Sequence, residues 1–448
     1  MSALIDVATT TLDRPPVLDD RRLLGHPRGL GLLFVVEMWE RFSYYGMRAL
    51  LILYLVNHLR WGIASAAKLY GTYTALVYLT PLIGGYVADR FIGTRRSLVV
   101  GGIVIALGHF SLAFQAMPMF YLGLGLIIVG TGFFKPNVST MVGQLYRPGD
   151  SRRDSGFTIF YMGINLGAAL APLVCGWLAQ EVGWHYGFAA AGVGMVVGLI
   201  TYLWGVDRYL PGIGVPVRRD VNNAAAVASE LVTADHHVPL IPSVTGAALG
   251  ALLAALSHGG WIGSFFGITV GTMLGITFGG TRGEERKRVI AIFIVILFVI
   301  FFWMAGEQTG SSMSLFADKH TRRQLGGWTV PTSFFQAVNP IFILLLAPIF
   351  AWMWTRLGVL GRSSSTALKM VFGLVLLGCG FVVLVLGAHY ADAGMQVSPW
   401  WLIGAYFLHT CGELCLSPVG LSYVTKVAPI RFASLLMGGW FLGNAAAN

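Results

Sequence analysis

"EMWERFSYYGMRALL", residues 37–51, sets two glutamates and two arginines inside a stretch, Leu30 to Val56, that is otherwise apolar. On a helix turning about 100° per residue, Glu37, Glu40, Arg41, Tyr44, Tyr45 and Arg48 fall within one arc of about 140°. They form a single polar stripe roughly 16 Å long. Trp39, Phe42 and Leu50 point elsewhere, toward lipid or neighbouring helices. In a soluble protein such a stripe is a solvated face. The composition of this chain excludes that reading.

Of the 448 residues, 56% are hydrophobic and 11% charged, where soluble domains carry about 25% charged residues. A helix crosses a bilayer with roughly 20 apolar residues. Runs of that length recur near 30–56, 66–88, 97–116, 119–146, 155–180, 185–206, 289–317, 331–355, 366–389 and 399–424. The charge-free run from His236 to Thr281 reads as a two-helix hairpin interrupted at Ser257–Gly260, and a last apolar segment starts near Ala433. The expected fold is an all-α polytopic membrane protein with two six-helix bundles. Residues 1–29 form an N-terminal segment and 30–210 the first bundle. Residues 211–286 connect the bundles and carry an inserted transmembrane hairpin at about 238–280. Residues 287–448 form the second bundle, which ends within its fifth helix, so that a final core helix is expected to be missing.

Residues 1–29 have no apolar run and do not read as a signal peptide. Basic residues set the orientation. Arg21, Arg22 and Arg28 precede the first span, Arg90, Arg95 and Arg96 follow the second, and Arg147, Arg152 and Arg153 follow the fourth. The alternate loops are nearly free of them, with Lys319, Arg322 and Arg323 as the exception. The N-terminus is therefore expected in the cytoplasm and the chain in the cell's inner membrane. The net charge of +10 belongs to these loops and calls for no nucleic acid. Cys175, Cys379, Cys411 and Cys415 lie within apolar spans and read as packing residues, as do His109 and His409. "GTGFFKPN" (130–137) lacks the Gly-Lys-Ser/Thr ending of a phosphate loop. No nucleophile–base or metal-ligand constellation appears, so neither an enzyme nor a cofactor or metal is expected.

The other intramembrane charges are Lys135, Glu307 and Glu413. Charges at that depth cost roughly 3 kcal/mol on insertion scales and mark ion or substrate pathways. Counting along the spans puts Arg48 and Glu307 at matched depths toward the outer face, and Lys135 with Glu413 somewhat below the middle. Two opposite-charge pairs, each with one partner per bundle, suit halves that open and close. Three cations (Arg41, Arg48, Lys135) face four carboxylates (Glu37, Glu40, Glu307, Glu413). At least one acid lacks a full-time partner and is placed to gain and lose a proton. The count does not say which.

"EMWERFSYYG" (37–46) resembles the ExxERFxYYG signature of the proton-dependent oligopeptide transporter family, within the major facilitator superfamily. "GGYVADRFIGTRR" (84–96), "FFKPNVSTMVGQLY" (133–146), "FYMGINLGA" (160–168), "FFWMAGEQTGSS" (301–312), "QAVNPIFILLLAPIF" (336–350) and "GELCLSPVGLSYVTKVAP" (412–429) continue the match. The resemblance implies a proton-coupled symporter that imports di- and tripeptides by alternating access and works as a monomer. On matching positions, Glu37, Glu40 and Arg41 would couple proton to peptide, with Glu307. Arg41 and Lys135 would hold the peptide carboxylate, and Glu413 the amine. Asn165 and Asn339 would grip the peptide backbone, joined by Tyr44, Tyr45, Tyr78, Tyr161, Trp303 and Ser417. Arg48–Glu307 and Lys135–Glu413 would gate the site. The alternative is a proton-coupled carrier of another small substrate (nitrate, or a drug-like or peptidomimetic anion) on the same scaffold. An inorganic anion, however, needs no amine partner such as Glu413.

Overall fold

The computed structural model describes residues 18, 20–114, 116–147, 150, 152–215, 239–256, 260–360, 365–429 and 432–447. Most of the expected connection (216–238), the hairpin tip (257–259) and the side chain of Ser417 lie outside the described residues. The chain divides into two compact units: Met1–Leu59 with Thr80–Pro216, and Arg60–Leu79 with Val217–Asn448. Residues Arg60–Leu79, read from the sequence as part of the first bundle, therefore group with the second unit.

The first unit holds α1 (Arg28–Leu53), the last third of α2 (Ile63–Val87), α3 (Thr94–Leu112), α4 (Met117–Gln144), α5 (Arg153–Glu181) and α6 (Trp184–Tyr209). Its core joins Leu33 and Val36 of α1, Ile105 of α3, Phe134 and Met141 of α4, and Met195 and Tyr202 of α6. Between lipid-immersed helices the hydrophobic effect gives little drive, so association relies on close van der Waals approach. The contact of α3 with α4 shows this at Gly101, where a Cβ would meet the Gly130 carbonyl at 2.7 Å.

The second unit holds the start of α2 and the hairpin α7 (Leu240–Leu256) and α8 (Gly260–Gly280). There follow α9 (Gly283–Gly306), the short α10 (Ser312–Lys319), α11 (Val338–Val359), α12 (Thr366–Asp392), α13 (Trp400–Val427) and α14 (Ala433–Ala446). Val289 and Val299 of α9 pack with Leu377, Leu416 and Trp440 of α12, α13 and α14. Among the described residues, eight helices are long and apolar enough to cross a membrane.

The expected single span 289–317 is two helices. The chain leaves α9 at Gly306, makes a 3₁₀ turn over Glu307–Gly310 and resumes as α10. The polar run Gln308-Thr309-Gly310-Ser311-Ser312 explains the break, because its side chains bond to local groups in place of the helix ladder. Thr309 Oγ1 donates to the Gly306 carbonyl at 2.8 Å, and Ser314 Oγ to the Thr309 carbonyl at 2.8 Å.

Ahead of α1, the chain is clasped to the α4–α5 connection. His26 Nδ1 lies 2.9 Å from the Tyr146 hydroxyl and its Nε2 3.3 Å from Ser155 Oγ. Arg152 donates to the carbonyls of Gly25 (3.1 Å) and Leu18 (3.3 Å) while paired with Asp150 at 2.7 Å. Burial, and then the nearby Arg152 charge, hold His26 below the ordinary imidazole value of 6.5, with Asp150 opposing. Burial likewise pushes the Tyr146 phenol up to about 12. A depressed histidine means that the folded clasp binds fewer protons than the opened one. Its stabilisation is complete above the ordinary value of 6.5 and is lost as pH falls below it. Hydrogen exchange at residues 20–27, corrected for its intrinsic pH dependence, should therefore quicken on acidification from about 7.5 to about 5.5. In His26→Gln the corrected rate should not change over that interval.

Candidate functional site

The stripe of α1 is buried within the first unit. Glu37, Glu40 and Arg41 are only 2%, 1% and 3% exposed. Arg41 lies between the two carboxylates. Its Nε is 3.2 Å from Glu37 Oε1 and donates to Glu40 Oε2 in a short bond, while its second nitrogen donates to Glu40 Oε1 at 2.6 Å. Bidentate geometry of this kind is the strongest that an arginine makes with a carboxylate. Glu40 therefore has both oxygens on Arg41. Glu37 shares only one, and its Oε2 has no hydrogen-bond partner among the described residues.

Aromatic rings extend the stripe. The Arg41 guanidinium stands 5.2 Å from the centre of the Tyr44 ring, and Arg48 stands 5.8 Å from that of Tyr45. The two tyrosines meet edge to face at 5.1 Å. On α4, Lys135 contributes a second cation whose field reaches Glu37. The opposite side of α1 packs on α6: Phe42 and Trp39 fill the space over Gly194, and Leu50 that over Gly187.

On α5, Asn165 is buried and donates to the Tyr161 carbonyl one turn back at 3.0 Å, while Tyr161 is exposed. Beside Asn165 the helices nearly touch. A Cβ at Gly167 would press into the Met38 carbonyl and stand 3.0 Å from both Arg41 Cβ and Phe42 N. Gly167 was not foreseen as a site residue. Its signal was the Gly163-x-x-x-Gly167 spacing around Asn165, a small-residue pattern that brings helix backbones together.

In the second unit, Asn339 of α11 reaches Glu413 of α13. Its Nδ2 donates to Glu413 Oε2 at 3.1 Å and to Thr410 Oγ1 at 3.0 Å. The sequence reading named Asn339 and Glu413 separately and missed both their bond and Thr410. Glu307 is buried on its 3₁₀ turn, and Trp303 is half-buried near the end of α9 with its ring edge-on to Phe302. Tyr78 is half-buried in the part of α2 that belongs to this unit. Arg48 and Lys135 lie in the first unit, Glu307 and Glu413 in the second.

A helical membrane protein of the major facilitator fold, with buried charges in each of its units, is a secondary transporter. The chain belongs to the POT family, whose profile matches residues 95–448. It is 38% identical to the peptide transporter YePEPT of Yersinia enterocolitica over 96% of this chain and 88% of that one. It is 37% identical to a di-/tripeptide transporter of Lactococcus lactis over 96% of this chain and 89% of the other. Its structure is similar to that of a mutant of peptide transporter POT crystallised with alafosfalin. The TM-score is 0.79 at 38% identity, covering 98% of this chain and 90% of that one.

The contact at Gly167 yields a test. Gly167→Val must force α5 from α1 beside Arg41, an overpacking that costs about 1–3 kcal/mol. A Cβ at Gly125 meets nothing within 4 Å, so Gly125→Val is the control. Thermal unfolding in detergent should show the first variant several degrees less stable and the second unchanged, with uptake lost only in the first.

Proposed function

We propose that the protein is a proton-coupled symporter that imports di- and tripeptides by alternating access. The observation that carries this reading is Arg41 shared by two buried carboxylates, one of which keeps an oxygen without a donor. Every peptide brings a carboxylate of its own. When that group takes the guanidinium, with Lys135 beside it, a glutamate loses its counter-charge. Burying an unpaired carboxylate is very unfavourable, and the group neutralises instead. Substrate binding and proton uptake are then one event at one arginine.

Of the two glutamates, Glu37 is the one we assign to the proton. Glu40 is held through both oxygens, whereas Glu37 has the weaker grip on Arg41 and the unpartnered Oε2. At the other end of the peptide, Glu413 takes the amine while Asn165 and Asn339 bond the backbone. Tyr44, Tyr45, Tyr78, Tyr161 and Trp303 are assigned to walls that tolerate many side chains. The pairs Arg48–Glu307 and Lys135–Glu413 are assigned to the outer gate, and the working unit is the monomer. The N-terminus is cytoplasmic, in the inner membrane. Support for a peptide substrate comes from the names of the relatives and from the pairing of cationic and anionic groups. A simple anion carrier would need only the cations.

Uptake of a labelled dipeptide into proteoliposomes should collapse with a protonophore and proceed without nucleotide. Uptake that survives the protonophore and requires ATP would end the symporter reading. Glu37→Gln should abolish accumulation driven by a pH gradient while leaving counterflow exchange near the wild-type rate. Glu40→Gln, which strips Arg41 of its bidentate partner, should reduce both. If Glu37→Gln still concentrates peptide with a wild-type pH dependence, the proton is carried elsewhere.

A further inference from the structure

Thr410 lies three residues before Glu413 on α13 and is fully buried, at 0% exposure. Its hydroxyl donates to the Tyr406 carbonyl at 2.7 Å. A hydroxyl has one proton, so toward any other neighbour this oxygen can only accept. The neighbour is Asn339, whose Nδ2 stands 3.0 Å from Thr410 Oγ1 and 3.1 Å from Glu413 Oε2. Both protons of the amide nitrogen are therefore used, and each meets an acceptor.

Turning the Asn339 amide over would direct its oxygen at a hydroxyl with no proton to offer and at a carboxylate. Glu413 by itself favours the observed orientation only while it is ionised and unengaged. Once it is neutralised, or drawn toward a substrate ammonium, that preference weakens. Thr410 is different, because its proton goes to the Tyr406 carbonyl within its own helix. So bonded, it is an acceptor that does not depend on the charge of Glu413.

We infer that Thr410 is a positioning residue for the recognition of the peptide amine. It holds Asn339 with the NH₂ toward Glu413 and the carbonyl oxygen directed away as a second acceptor. Without the hydroxyl, Asn339 can turn once Glu413 is engaged, and the ammonium then meets a donor where it needs an acceptor. This rests on the reading that Glu413 meets the amine, and the test separates the two.

The test measures the affinity of the full chain in detergent for dialanine and for N-acetyl-dialanine, in wild type, Thr410→Val, Thr410→Ser and Glu413→Gln. Valine keeps the shape of threonine without its hydroxyl, and serine restores the hydroxyl. Thr410→Val should weaken dialanine about tenfold, the ratio equivalent to about 1.4 kcal/mol. It should weaken the acetylated peptide much less, and Thr410→Ser should recover the wild-type ratio. Should the valine variant not fold, Thr410→Ala takes its place with the same expectation. Equal affinities in wild type and Thr410→Val, equal losses for both peptides, or a serine variant that fails to recover would overturn the positioning role. If Thr410→Val shows no selective loss while Glu413→Gln does, the amine reading of Glu413 stands and the role of Thr410 falls. If Glu413→Gln weakens both peptides alike, the amine reading fails and this inference fails with it.

Discussion

The ion cluster of Arg41 with Glu37 and Glu40 is the constraint around which the first unit is organised. A charge buried among helices is tolerated when it is paired and its hydrogen bonds are satisfied. Here one guanidinium serves two carboxylates, so the cluster as seen on α1 carries an excess negative charge. Lys135 offsets part of it through its field on Glu37.

Packing follows from holding that cluster dry. On one side α1 meets α5, which approaches so closely at Gly167 that no side chain fits between them. The apolar side is set against the small residues of α6, where Gly187, Gly194 and Gly198 receive Leu50, Phe42 and Trp39. These close approaches fix the backbone of α1 on both sides of Arg41.

In the second unit, one of the partners of Glu413 is a neutral amide. Glu413 lies on a helix whose only other charged residue is Lys426, and Asn339 supplies a hydrogen-bond donor without adding charge. Thr410 in turn fixes which end of the amide does so.

Much of this was legible in the chain itself. Composition and run length determined a polytopic helical membrane protein, because a bilayer leaves so few ways to bury 56% hydrophobic residues. Helical periodicity alone gathered Glu37, Glu40, Arg41, Tyr44, Tyr45 and Arg48 on one side of α1, since the stripe lies within a single regular element. Charge counting showed that one acid was spare. How Glu37 and Glu40 share Arg41 depended on the position of a guanidinium to within a few tenths of an ångström, and only the tertiary structure decided that Glu40 takes the bidentate bond and Glu37 does not. The same holds for the break after Gly306, where local side-chain hydrogen bonds outweigh an apolar run. It holds equally for the Asn339–Thr410–Glu413 contact. Asn339 is separated from the other two by some seventy positions in the chain, and no periodicity within one helix can register a bond made between two.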